Sequence, residues 1–205
     1  MTPFETFLQD LDRLYASQRP AEAPKVGLRI LGSVALMIQA HYIRGTKDGD
    51  VLESALIHRT VKADLLNLGG KGTGLANRHG IYLDIVPSGI LFMPNAVAYH
   101  PLPEISSALR CFEVEVMDIT DPCVTKLKRF NANDQADLGA MVRLQKLDYA
   151  LFRDRFLSAI DHCRGQAFAD DYPRIVDNFH QVERDIFLVS ETAIDLRANP
   201  YESED

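Results

Sequence analysis

The sequence has no tryptophan and only three cysteines, Cys111, Cys123 and Cys163, with no CxxC pair among them. An odd, scattered set of thiols excludes a disulfide framework and fits reduced cysteines in a reducing compartment. No stretch approaches the roughly 20 apolar residues that span a bilayer. The opening MTPFETFLQDLDRLYASQRP lacks a basic segment followed by an apolar one, so the expectation is a cytoplasmic protein with no membrane partner. Basic residues are also in short supply. The 22 Lys+Arg against 29 Asp+Glu leave a net charge of −7, which argues against a broad electrostatic nucleic-acid surface but not against one local basic groove. Repeats and low-complexity blocks are missing, and the six histidines show no HExxH or other zinc-ligand spacing. The chain is otherwise ordinary for a globular protein, with 46% hydrophobic and 25% charged residues over 205 positions. That length predicts one core with an appendage.

Hydrophobic periodicity organises the chain. Phe4, Phe7, Leu8, Leu11, Leu14 and Tyr15 lie on one helical face, with Thr2 placed to cap and Pro3 at the first helical position. Pro20 and Pro24 bracket a linker. Val26 to Leu31 reads as a buried strand, Val34 to Tyr42 as an apolar helix, Asp48 to Leu56 as a strand, and Arg59 to Leu68 as a helix ending at Gly69-Gly70. Ile81 to Val86 and Phe112 to Met117 read as further strands, the second with one wet face. After Asp121-Pro122 the period is helical: Val124 to Phe130, Asp134 to Leu147, Tyr149 to His162 and, after a loop, one long helix from Tyr172 to Leu196. The predicted class is α+β with an α/β-like core. Residues 1–24 form a helix and linker, 25–120 the core, 121–196 a helical lobe and 197–205 an acidic tail.

The informative segment is Leu28 to Glu53, LRILGSVALMIQAHYIRGTKDGDVLE. A strand runs into Gly32-Ser33, which opens a helix. Gly32 allows a tight turn and close approach of a ligand, and the helix N-terminus favours a phosphate. On an extended chain Asp48 and Asp50 share a face, and two adjacent carboxylates suit a shared Mg²⁺ held jointly with substrate phosphates. A third carboxylate, Asp84, sits in the apolar run Tyr82-Leu83-Asp84-Ile85-Val86 and needs a partner if it is buried.

A Gly-Ser turn after a strand, a helix, a D-x-D strand and a later single Asp resemble the nucleotidyltransferase superfamily. The resemblance covers roughly residues 26 to 160 and is most similar to the small bacterial branch that includes AbiEii-type toxins. Arg44 and Thr46 before the D-x-D fit that branch, as do Thr125-Lys126-Leu127-Lys128-Arg129-Phe130 and Asn133-Asp134-Gln135-Ala136-Asp137-Leu138. It implies a mixed-sheet core with flanking helices and a C-terminal helical lobe. It also implies catalytic and metal-binding roles for Asp48, Asp50 and Asp84, with Mg²⁺ as cofactor. Gly32, Ser33, Arg44, Lys126 and Asp137 become nucleotide-binding candidates. The reaction implied is transfer of a nucleoside monophosphate from a triphosphate such as ATP to a hydroxyl on a tRNA end, a protein or a small molecule, in a toxin with an antitoxin partner. Gly49, where the family usually has an apolar residue, and Asn133, where a Lys is common, depart from the pattern. They motivate the alternative of a degenerate member acting as a nucleotide-binding or protein-interaction module.

Each piece also has a plain structural reading. Lys47-Asp48-Gly49 is a hairpin signal, Asp84 pairs with Arg78, the cations Lys126, Lys128 and Arg129 line an exposed helix face, and Asp134 serves the helix dipole. The glycine-rich NLGGKGTGLANRHG of residues 67–80 is not a P-loop, because Lys71 is followed by Gly72. It reads as a helix end, a joint and a short helix, whose Lys71 and Arg78 are placed to face a substrate. Finally, Ile175, Phe179, Val182, Ile186 and Val189 form a stripe in steps of four and three. It either closes against the face of the first helix or pairs with its copy in a homodimer.

Overall fold

The computed structural model describes residues 2–55, 57–163 and 171–194. Five strands, β1 (Val26–Ile30), β2 (Asp48–Leu52), β3 (Tyr82–Val86), β4 (Tyr99–Pro101) and β5 (Phe112–Met117), form one mixed sheet in the order β3-β2-β1-β5-β4. β1 runs antiparallel to β2 and parallel to β5, β2 and β3 are parallel, and β4 closes the other edge antiparallel to β5. The helices are α1 (Pro3–Ala16), α2 (Gly32–Ala40), α3 (Arg59–Gly69), α4 (Gly74–His79), α5 (Pro103–Ser107), α6 (Thr120–Lys126), α7 (Ala132–Arg143), α8 (Tyr149–Cys163) and α9 (Tyr172–Val182). This α+β arrangement with its C-terminal helices is the architecture expected of a nucleotidyltransferase-like fold.

Local chemistry explains most boundaries. Thr2 and Glu5 close a reciprocal capping box at the start of α1, with Pro3 just inside. The apolar face of α1 is not an appendage. Phe4, Phe7, Leu8, Leu11 and Tyr15 lie in the same hydrophobic cluster as the strands, and Tyr15 stacks on Phe112 at 5.4 Å. Asp12, buried in α1, accepts the backbone N–H groups of Arg110 and Cys111 and so ties the helix to the entry of β5. The glycine-rich stretch 67–80 does form a helix end, a joint and the short helix α4.

Gly49 has a packing reason. A Cβ built there would lie 2.4 Å from the Phe4 ring, so the space a side chain on β2 would take is filled here from α1. Gly49→Val should overpack this contact and destabilise the chain by about 1–3 kcal/mol. Pairing it with Phe4→Ala should recover part of that loss in a thermal-melt double-mutant cycle. Additive losses would show that the two sites do not share space.

A second hydrophobic cluster joins the C-terminal helices to Leu36 and Ala40 of α2 and to Phe92; it is built around Phe152, Phe156 and Phe179, with Phe156 and Phe179 stacked at 4.0 Å. The fully buried side chain of Asp121 accepts two hydrogen bonds at 2.7 Å from Arg155 and clamps α6 to α8. Here the structure corrects the expected long last helix. α9 ends at Val182, a π turn covers Glu183–Phe187, and Leu188 adopts a left-handed conformation (φ 58°) that reverses the chain. Glu183 then accepts from the Tyr149 hydroxyl and from the backbone and hydroxyl of Thr192, which holds the returning segment. The 175–189 stripe does not pack on α1. Ile175, Phe179 and Val182 are buried in the second cluster, while Val189 is exposed. The expected tail, 197–205, lies outside the described residues.

Candidate active site

A cleft of about 880 Å³ opens between the β2–β3 edge of the sheet and the lobe. Three segments of backbone build it. β2 and β3 pair in a register that sets Asp50 opposite Asp84 and Asp48 opposite Tyr82, so alternation puts all three carboxylates on one face. The hairpin-turn reading of Lys47-Asp48-Gly49 is thereby corrected: Asp48 begins a strand. Asp84 is not a buried charge in need of a partner, because the strand alternates and Asp84 is exposed on its wet side. Arg78 pairs with Asp10 instead, at 3.9 Å. Neither Arg78 nor Lys71 lines the cleft.

The second segment is the start of α2. Gly32 has φ 66°, and a Cβ there would lie 2.2 Å from Asp50 Oδ2. Both facts require glycine, the second because the helix N-terminus comes directly against the Asp50 carboxylate. No side chain caps α2, so the donors of its first turn remain oriented for an anion.

The third segment is α6, a tight turn and α7. Lys126, 6% exposed, reaches Ser33 Oγ at 3.1 Å, Asp134 Oδ1 at 3.2 Å and Asp137 Oδ2 at 2.8 Å. Ser33 Oγ donates to Asp137 Oδ2 at 2.9 Å and accepts from Arg44, which also pairs with Asp137. Arg129 forks onto Asp134, with Nε and Nη2 both at 2.9 Å from its oxygens. Asp134 and Asp137 are fully buried. Lys126 and Asp134 are thus not the exposed-face and helix-dipole residues of the plain reading, although Asp134 also closes a capping box with Asn131. Asp137 lies beneath the cleft wall rather than in it. Arg44, Gly32, Ser33, Lys126, Asp48, Asp50 and Asp84 all line the cleft. Asn133 lines it too, at the exposed start of α7.

Electrostatics follow from this packing. Burial, reinforced by repulsion from Asp48 and Asp84 and only partly offset by Lys126 and Arg129, pushes Asp50 up to about 7. Burial also raises Asp134, but the Arg129 hydrogen bonds and the charges of Lys126 and Arg129 outweigh it and hold that carboxylate below its usual range. Thr46 Oγ1 donates to Asp48 Oδ1 at 2.6 Å and fixes its rotamer. Among the described residues, no three acidic, histidine or cysteine side chains are grouped closely enough to form a ready-made metal cage. The donor set still fits Mg²⁺, which is usually held by one or two carboxylates together with water and substrate phosphates. The fit rests on Asp50, whose repulsion from Asp48 and Asp84 is only partly offset by Lys126 and Arg129.

Sequence reasoning missed the depth of the Lys126–Asp134–Asp137 network and the cleft-lining Lys47 and Arg174. The N-cap pattern Asn131-x-x-Asp134 was the available signal for the first. The second had none, since Arg174 enters from a distant helix.

The fold and this site define the chain as nucleotidyltransferase-like. Residues 7–186 match the family described as nucleotidyltransferase of unknown function (DUF6036), and the chain belongs to that family. No curated protein and no solved structure shows significant similarity to it. Among the described residues no helix is long and apolar enough to cross a membrane.

Proposed function

We propose that this protein is a Mg²⁺-dependent nucleotidyltransferase that moves a nucleoside monophosphate from a nucleoside triphosphate to a hydroxyl acceptor. The supporting observation is Asp48, Asp50 and Asp84 on one sheet face, with the uncapped α2 N-terminus against Asp50 and a cluster of cations across the cleft. Asp48 and Asp50 would hold the metal with Asp84. Bound there, Mg²⁺ supplies charge neutralisation for the phosphates and lowers the pKa of the attacking hydroxyl. The chain's own residues do the rest. Donors of the Gly32-Ser33 turn bind phosphate oxygens, and the lobe cations stabilise charge on the departing pyrophosphate. The acceptor oxygen bonds to the α-phosphorus as the bond to the β-phosphate bridging oxygen breaks, and Asp84, exposed on the cleft face, takes the hydroxyl proton.

The resemblance of Arg44, Thr46 and residues 125–138 to AbiEii-type toxins supports a macromolecular acceptor and an antitoxin partner, a role that rests on those segments. The test is incubation with each α-labelled nucleoside triphosphate, Mg²⁺ and a cell extract. Label should pass to a macromolecule with the parent protein and not with Asp48→Asn. Tight binding of a triphosphate with no transfer from any of them would instead establish a catalytically silent binding module, the alternative that Asn133 still motivates.

A further inference from the structure

We infer that Arg129 is the residue that grips the phosphates in this cleft, and that Lys126 is a positioning residue that holds its frame; the inference deepens the nucleotidyltransferase reading and rests on it. The turn between α6 and α7 sorts the two cations. The Phe130 N–H donates to the Lys126 carbonyl at 2.8 Å, and Phe130 takes φ 47°. The chain reverses there, so Phe130 enters the lobe core while Arg129 is left 68% exposed on the cleft wall.

Of the three donors of the Lys126 ammonium, two are given to Ser33 and Asp134, and the charge is also paired with Asp137 at 2.8 Å. At 6% exposure and shared by two buried carboxylates, its charge is already committed to the frame. Arg129 is the opposite case. Its Nε and Nη2 are fixed by Asp134, which is buried, capped into α7 and also neutralised by Lys126. The guanidinium plane is therefore set in advance, while its remaining N–H groups face the cleft. A planar fork that has already lost its rotamer freedom recognises phosphate at little further ordering cost. Arg129 lines the same cleft as Asp48, Asp50 and Asp84, the residues of the proposed metal site.

The test is calorimetric titration of the full chain with inorganic triphosphate and with each nucleoside triphosphate plus Mg²⁺. The parent, Arg129→Gln and Arg129→Lys are compared, with melting curves for all three. Arg129→Gln should weaken triphosphate binding by about tenfold or more, the effect of one lost charge-assisted contact. Arg129→Lys should not restore it, since an ammonium lacks the planar fork by which Asp134 fixes the direction of the remaining donors. If Arg129→Gln fails to fold, the folded lysine variant decides: parent-like affinity overturns the inference. Nucleotide binding by the parent that is indifferent to both substitutions overturns the role of Arg129 and leaves the nucleotidyltransferase reading standing. A parent that binds neither inorganic triphosphate nor any nucleotide removes both.

Discussion

Asp50→Asn should raise the melting temperature of the metal-free protein at pH 8 and at the same time lower Mg²⁺-dependent nucleotide transfer on the order of a hundredfold or more. The two effects have one cause. Asp50 is buried beside Asp48 and opposite Asp84, and the α2 N-terminus and the lobe cations offset that cost only in part. Its pKa is pushed from 3.8 to about 7 by burial and by those two neighbours. An acid whose folded pKa lies above its unfolded one binds its proton more tightly when folded. Its cost is therefore absent below about pH 4, grows as pH rises toward 7, and is fully present above. Three units correspond to about 4 kcal/mol as an upper figure. At about 2–4 °C per kcal/mol for a chain of this size, the asparagine variant should melt several degrees above the parent at pH 8 and match it near pH 4. A variant that melts well below the parent at pH 8 would identify Asp50 as a structural ion-pair partner and remove it from the catalytic assignment.

That pairing of carboxylates was legible before any coordinates, because strand alternation alone puts Asp48 and Asp50 on one face. Its neighbours were less so. The opposition of Asp50 to Asp84 depends on β2–β3 register, which is fixed by packing of both faces rather than by a local signal. β4 is three residues long and ends at Pro101, which suits an edge strand but carries no periodicity to read. α1 was legible from its cap residue, proline and apolar stripe, which agree, except that Leu14, read as part of the stripe, is exposed. The end of α9 was not. Ile186 and Val189 continue the stripe, yet Leu188 reverses the chain, and what holds the reversal is Glu183 with Tyr149 and Thr192, a tertiary contact. The same applies to Gly49, whose reason lies in Phe4, 45 positions earlier in the sequence. Sequence patterns reported faces and ends of elements. They did not report which face of one element fills the gap in another.

The network beneath the cleft leads to the second large effect. Lys126→Met should destabilise the protein by about 3 kcal/mol at pH 7.5, enough to lower its melting temperature by roughly 6–12 °C. Methionine matches the stem of lysine in volume, so the loss is electrostatic and not a cavity. What disappears is the ammonium shared by Asp134 and Asp137, both fully buried, and by Ser33. Asp134 keeps the Arg129 fork, and Asp137 keeps Arg44 and the Ser33 hydroxyl. The damage therefore falls short of two orphaned charges. In the parent, Asp134 is held below its usual range, so it contributes stability above its unfolded pKa that is lost only as pH falls through the lower folded value. Without Lys126 part of that support is gone, and the less compensated carboxylate takes up a proton at higher pH than in the parent. The gap in melting temperature should then be widest at pH 7.5 and narrow as pH falls toward 4. Parent-like melting of Lys126→Met at pH 7.5 would show that the ammonium is not committed to the frame and is free to meet a phosphate directly. A gap that persists unchanged to low pH would point to packing rather than charge as what Lys126 supplies.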